Sequence, residues 1–191
     1  MRKISVITLI GLVTAVAAVR ADIIPSFAGT SPGGGTSTVW NYTINITSDQ
    51  QVTTGDFFTI YDFGPFVANS ATAPAGWTFS SSLLTAAPPN TTPPDNPSLE
   101  NLTWTYNGAT LPAGTHQTGF SITQATTLFQ QVPTTRNGYF AALATRNDSG
   151  MTKISNVGQI PVPVPIPEPT TLSLLALAGV GSALRAIRRR K

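Results

Sequence analysis

Apolar and polar residues alternate through most of this chain. Trp40, Tyr42, Ile44 and Ile46 alternate with Asn41, Thr43, Asn45 and Thr47. Strict period-two patterning predicts a strand with one buried face. The pattern returns in Trp77 and Phe79, in Leu102, Trp104 and Tyr106, and in Phe120 and Ile122, each set interleaved with Thr, Ser or Asn. From Phe57 to Phe63 aromatics fall on both parities, which predicts a central strand covered on both sides. Tyr139 to Thr145 supplies a further strand, with Asn137-Gly138 read as the turn that opens it. Asn107-Gly108 and Thr54-Gly55-Asp56 are further turn signals. Ala28 to Thr36 reads as a leader loop, and Thr85 to Pro97, with its five prolines, as an exposed connection. The expected fold class is all-β: an antiparallel β-sandwich of jelly-roll or Ig-like type, with a barrel as the alternative.

The two ends break this pattern. Arg2 and Lys3 precede an apolar run from Ile4 to Val19, and Val19-Arg20-Ala21 places small residues before Asp22. This predicts a signal helix, a secretory signal peptide over residues 1–21. Arg20 is an unusual neighbour for that cut, so cleavage nearer Ala17 or Ala18 is an alternative, and an uncleaved anchor is another. At the far end Pro161, Pro163, Pro165, Pro167 and Pro169 occupy every second position. Residues 159–169 are therefore expected to form a stiff Pro-rich spacer, its proline ladder from Pro161 to Pro169 roughly 25–30 Å long at ~3.1 Å per residue. The sandwich is assigned to residues 22–158, and residues 170–191 to a C-terminal hydrophobic helix with a basic tail.

Thr171 to Ile187 is a seventeen-residue span. As a helix it reaches about 25 Å at ~1.5 Å per residue, marginal against a bilayer core of ~30 Å. Arg185 can extend toward the headgroups. Arg185, Arg188, Arg189, Arg190 and Lys191 predict a cytoplasmic basic anchor, and Arg2 and Lys3 agree with that orientation. Both ends then place the body outside the inner membrane.

Charge changes its meaning once the ends are set aside. The whole chain carries +3, yet between Asp22 and Pro169 only Arg136, Arg146 and Lys153 face eight acidic residues, a net −5. No basic patch with interleaved aromatics remains in the body, so nucleic acid is excluded as a partner. Cysteine is absent, which removes disulfides, thiolate chemistry and Cys-ligated metal.

Candidate chemistry is sparse. Gly29-Thr30-Ser31-Pro32-Gly33 fits G-x-S-x-G, and the single histidine, His116, follows it. A nucleophile elbow needs a strand before the serine and a helix after it, and Pro32 followed by three glycines denies the helix. His116 is expected in an exposed loop. Asp49, Asp56 and Asp62 lack the tight spacing of a calcium loop and read as turn-forming carboxylates, with a site assembled in three dimensions as the alternative. Trp40, Trp77 and Trp104 offer platforms for sugar stacking, but each shares parity with an apolar stripe, which favours the core. No enzyme activity, cofactor or metal is expected. Five Asn-x-Ser/Thr sequons, at Asn41, Asn45, Asn90, Asn101 and Asn147, follow from the Asn- and Thr-rich composition.

Pro167-Glu168-Pro169, the apolar Leu172 to Leu184 and the cluster Arg188-Arg189-Arg190 together resemble the PEP-CTERM sorting signal of Gram-negative bacteria, here over residues 166–191. The resemblance implies recognition by an exosortase, a multi-pass membrane protease-transferase. It also implies a membrane-anchored precursor delivered to the cell surface or extracellular matrix. Gly55 to Phe63, Ala75-Gly76-Trp77 and Asn101 to Tyr106 resemble sandwich domains found ahead of such tails. The expected function is a structural or adhesive role in envelope, matrix or biofilm, with a carbohydrate-binding module associated with exopolysaccharide as the alternative.

Overall fold

A computed structural model describes residues 22–35, 37–125 and 135–163, and the described residues form no helix. Nine strands follow in order: β1 (Ile23–Pro32), β2 (Thr38–Ile46), β3 (Gln50–Gln51), β4 (Phe57–Ile60), β5 (Trp77–Ser82), β6 (Asn101–Tyr106), β7 (His116–Gln124), β8 (Thr135–Arg146) and β9 (Lys153–Pro163). Every pairing is antiparallel. A three-stranded sheet has the order β1-β2-β7, and a larger sheet holds the other six. In the larger sheet β9 pairs along one side of β8. β4 and β3 follow one another along its other side. That sheet is therefore five ranks wide: β9, β8, β4 with β3 in line, β6 and β5.

The two sheets pack face to face, so the architecture is a sandwich and the barrel alternative is set aside. Parity decides what lies between them. Trp40, Tyr42 and Ile44 of β2 and Phe120 and Ile122 of β7 are fully buried. They face Phe58 and Ile60 of β4, Leu102 and Trp104 of β6 and Ile160 and Val162 of β9, all in one cluster. Phe120 closes the middle, its ring 5.1 Å from Phe58, 5.2 Å from Trp77 and 6.0 Å from Trp104. Phe58 stacks on Trp104 at 5.1 Å. Aromatic side chains bury of order 150–250 Å² each, so these rings carry much of the hydrophobic stabilisation.

Three sequence expectations are corrected here. The leader loop at Ala28 to Thr36 is strand as far as Pro32, because β1 pairs with β2 through a register break between Phe27 and Gly29. β1 is an edge strand with a strand partner on one side only, which is why Pro25, Gly29 and Pro32 are tolerated. Asn137-Gly138 lies within β8, not in a turn. A Cβ on Gly138 would sit 2.7 Å from Val162 Cγ2, so glycine is there for close packing.

The third correction concerns the spacer. Residues 159–163 belong to β9 and continue the sheet, with Ile160 and Val162 in the core. Pro161 and Pro163 fall on alternate positions of an edge strand, where their missing N–H groups cost no ladder bond. Tyr42 reaches across the sandwich and donates its hydroxyl proton to the Pro161 carbonyl at 3.1 Å. The folded body thus runs to Pro163 rather than ending at residue 158. The expected signal helix, the rest of the spacer and the C-terminal helix lie outside the described residues.

Candidate functional site

The sequence-predicted sorting residues Pro167, Glu168 and Pro169, and the basic anchor Arg185, Arg188, Arg189, Arg190 and Lys191, lie outside the described residues. What the fold does set is where that tail leaves the body. β9 ends at Pro163, opposite Thr135 at the start of β8. From Pro163 to Pro167 is four residues, a reach of at most about 14 Å.

The tryptophans offered as sugar platforms are interior. Trp40 and Trp104 are 0% exposed and Trp77 is 7% exposed. Each indole N–H has a specific acceptor: Gln124 Oε1 at 3.0 Å for Trp40, Gln117 Oε1 at 2.7 Å for Trp77, and the Thr72 carbonyl at 3.1 Å for Trp104. Stacking on a carbohydrate through any of them is closed by burial.

Ser31 and His116 do not meet. Ser31 pairs with Val39 at one end of β2, and His116 pairs with Asn45 near the other. Six residues of extended strand separate those positions, roughly 20 Å. His116 is exposed and opens β7 instead of sitting in a loop, its Nδ1 2.7 Å from Asn45 Oδ1. Ser31 accepts a hydrogen bond from Asn41 Nδ2 at 3.2 Å. With Thr30, Pro32 and Thr38 it lines a shallow depression of about 220 Å³ that His116 does not reach.

The aspartates part company. Asp56 is fully buried beneath a knot of donors: Thr53 N at 2.7 Å, Thr145 Oγ1 at 2.8 Å and Lys153 Nζ at 2.5 Å. This knot ties the turn before β4 to β8 and β9, and neither partner strand is near it in sequence. Asp62, with φ of 56°, accepts the Asn96 N–H at 2.8 Å. Its own N–H donates to Asn101 Oδ1 at 2.8 Å. Asn101 in turn donates to Asp95 Oδ1 at 2.9 Å, so Asp62, Asn101 and Asp95 pin the proline-rich connection to the sheet end. Tyr61 lies buried beside it, and burial, helped by the Asp95 charge, pushes its phenol up to about 12. Among the described residues no group of three or more His, Asp or Glu side chains converges on a metal site.

The alternation places Asn and Thr opposite the apolar stripes, and the register assembles them into the outer face of the wide sheet. The register sets Thr78, Thr105, Phe57, Leu143 and Ser155 side by side in one row. Ser80, Thr103, Thr59, Ala141 and Val157 form the next. None of these ten positions is charged. Hydroxyls frame an apolar middle, and Thr59 and Thr103 bond to each other at 2.8 Å. Thr59 and Ala141 at the centre of the face are buried between their neighbours. The next row on the same face carries Thr145 and Lys153, whose ammonium turns to the buried Asp56, and Arg146 meets Asp148 at 2.9 Å at the strand end. Parity alone signals this face, but only the register shows which strands are neighbours.

Comparison with known proteins adds one assignment. Residues 165–191 match the PEP-CTERM protein-sorting motif. The motif implies an exported, membrane-anchored precursor that an exosortase, itself a membrane protein, processes for the cell surface. No curated protein matches the chain. Two similar solved structures are distant. One is ACE19, the collagen binding subdomain of Enterococcus faecalis surface protein ACE, with TM-score 0.38, 10% identity, and coverage of 76% of this chain and 98% of that one. The other is AvmM, described as catalysing macrocyclization in alchivemycin A biosynthesis, with TM-score 0.34, 8% identity, and coverage of 78% and 93%.

Proposed function

We propose that this chain is a non-enzymatic protein with a structural or adhesive role, secreted behind a signal peptide and displayed at the cell surface or in the biofilm matrix. Its contact surface is the two uncharged rows on the outer face of the wide sheet. The observation that carries this reading is the pairing of that face with the sorting motif, which begins two residues beyond the end of β9. A face of hydroxyls around Phe57, Leu143 and Val157 suits neutral polymers, exopolysaccharide among them. It offers nothing to polyanions, whose binding rests on phosphate or sulfate neutralisation. The jelly-roll or Ig-like description of the sandwich belongs to the same reading.

Two substitutions separate sorting from contact. Glu168→Ala is expected to leave unprocessed chain in the membrane fraction. Thr105→Lys with Val157→Lys, the latter at a half-exposed position, places two cations on the outer face without touching the core. It is expected to reduce retention in the matrix while processing continues. Unchanged retention of the lysine variant would refute the contact role, and unchanged size and fractionation of Glu168→Ala would refute the sorting role.

A further inference from the structure

The two sheets present four lateral edges, and three of them are blunted. β1 carries Pro25 and Pro32 and a register break at Gly29. β9 carries Pro161 and Pro163, and its Pro161 carbonyl is already taken by Tyr42. The outer edge of β7 is covered by the segment around Phe66 to Thr72, through bridges Phe66–Gln124 and Thr72–Ser121 and the bond from Val67 N to the Thr123 carbonyl at 2.8 Å. Prolines, bulges and covering segments are the usual means of preventing edge-to-edge pairing.

β5 has none of these devices. It pairs only with β6 among the described residues. From Trp77 to Ala86 the sequence holds no proline, no charge and no glycine. Past Ser82 the chain bends through Leu83 and Leu84, which are 48% and 63% exposed. Its outward backbone groups are an open hydrogen-bond ladder.

We propose that the β5 edge pairs, antiparallel, with β5 of a second copy of this chain. The occupant is argued from the strand itself. An antiparallel pairing centred near Ser80 sets Thr78 opposite Ser82 and Phe79 opposite Ser81, so uncharged residues meet uncharged residues throughout. It continues the ladder of the wide sheet into the next molecule and joins the two uncharged outer faces into one. Leu83 and Leu84 lie where the second copy covers them. A six-residue edge buries less than the ~1,200 Å² of a stable interface, so the association is weak and matched to chains held densely on a surface.

The chain's lack of cysteine makes the test direct. Ser80 faces solvent, so Ser80→Cys leaves the core intact, and paired strands bring opposite Cβ atoms to about 4.5–5.5 Å. Intact chains displayed on cells, mildly oxidised, are expected to give a disulfide-linked dimer with Ser80→Cys. The yield should be about tenfold or more above Ser155→Cys on the blunted β9 edge. Equal yields, or cross-linking of Ser80→Cys to a protein of different mass, would overturn the proposal. In a second arm, Ser80→Lys and Ser80→Glu copies each lose association alone and regain it when mixed, a rescue that misfolding does not produce. Failure of the mixture to associate would also overturn it. Fractionation of the same cells reports sorting separately, so loss of pairing and loss of display are told apart.

Discussion

Gly138→Ala should destabilise this protein, although alanine is ordinarily the better residue inside a strand. The reason is Val162. A Cβ at Gly138 would lie 2.7 Å from Val162 Cγ2 and 2.9 Å from Cγ1, while Val162 Cβ stays at 3.4 Å. Val162 is fully buried in the core, and its branched side chain is restricted at χ1 and packed on all sides, so it has no room to swing aside. Overpacking of this kind costs about 1–3 kcal/mol. Val162→Ala removes the two clashing methyls. Alone it costs about 2–3 kcal/mol, from ~0.8 per buried carbon plus the cavity left behind. Together the two changes should cost no more than Val162→Ala by itself, because the new methyl occupies space the valine has vacated.

Denaturant titration of the four proteins measures this as a double-mutant cycle. The expected coupling is about 1–3 kcal/mol in favour of the double variant. Additivity within about 0.5 kcal/mol would refute the reasoning, since it would mean that the two side chains never compete for the same volume. The same cycle tests whether β9 is part of the fold. A spacer peptide would show no coupling to β8 at all.

Two further outcomes are expected. Asp56→Ala strands the Thr53 N–H and removes the carboxylate that Thr145 and Lys153 donate to, and should cost about 2–4 kcal/mol in denaturant titration; a loss below about 1 kcal/mol would show that the knot does not hold the turn. Tyr61 is raised from 10.0 to about 12, so the unfolded chain ionises first. Its contribution to stability is therefore full below pH 10.0 and is lost as pH rises toward about 12. Phenolate absorbance should show this late titration, and Asp95→Asn should shift it to lower pH; no shift would assign the effect to burial alone.

The core was legible because parity survives any ignorance of topology. Trp40, Tyr42, Ile44, Leu102, Trp104, Phe120 and Ile122 all lie on the side their alternation predicts. β1 was not legible because Pro25, Gly29 and Pro32 punctuate it. Those residues mark a loop only where both edges of a strand must be paired. β9 was hidden by the same logic in reverse. Prolines at every second position suit the repeat of a polyproline rod, yet period two is also the period of a strand, and Ile160 and Val162 are its inward set. The partners of the indoles and of Asp56 were out of reach, since Gln124 is 84 residues from Trp40 and Lys153 is 97 from Asp56. The tail was read from its three parts alone, and the match over residues 165–191 supports that reading without describing its structure.

Charge joins the tail, the face and the free edge into one account. The basic residues that make the whole chain +3 belong mostly to the ends, and the body between Asp22 and Pro169 is net −5. Two such bodies repel at long range, over a distance of about 8 Å at physiological ionic strength. The surfaces proposed to meet carry no charge, so contact itself gains nothing from electrostatics. Salt should then strengthen association between copies by screening the bodies, and leave binding to a neutral polymer nearly unchanged. Attraction to a polyanion would respond to salt in the opposite sense. A salt series on the paired chains therefore separates contact through the β5 edge from adhesion through charge, and an association that weakens steadily with added salt would contradict both the edge and the uncharged face.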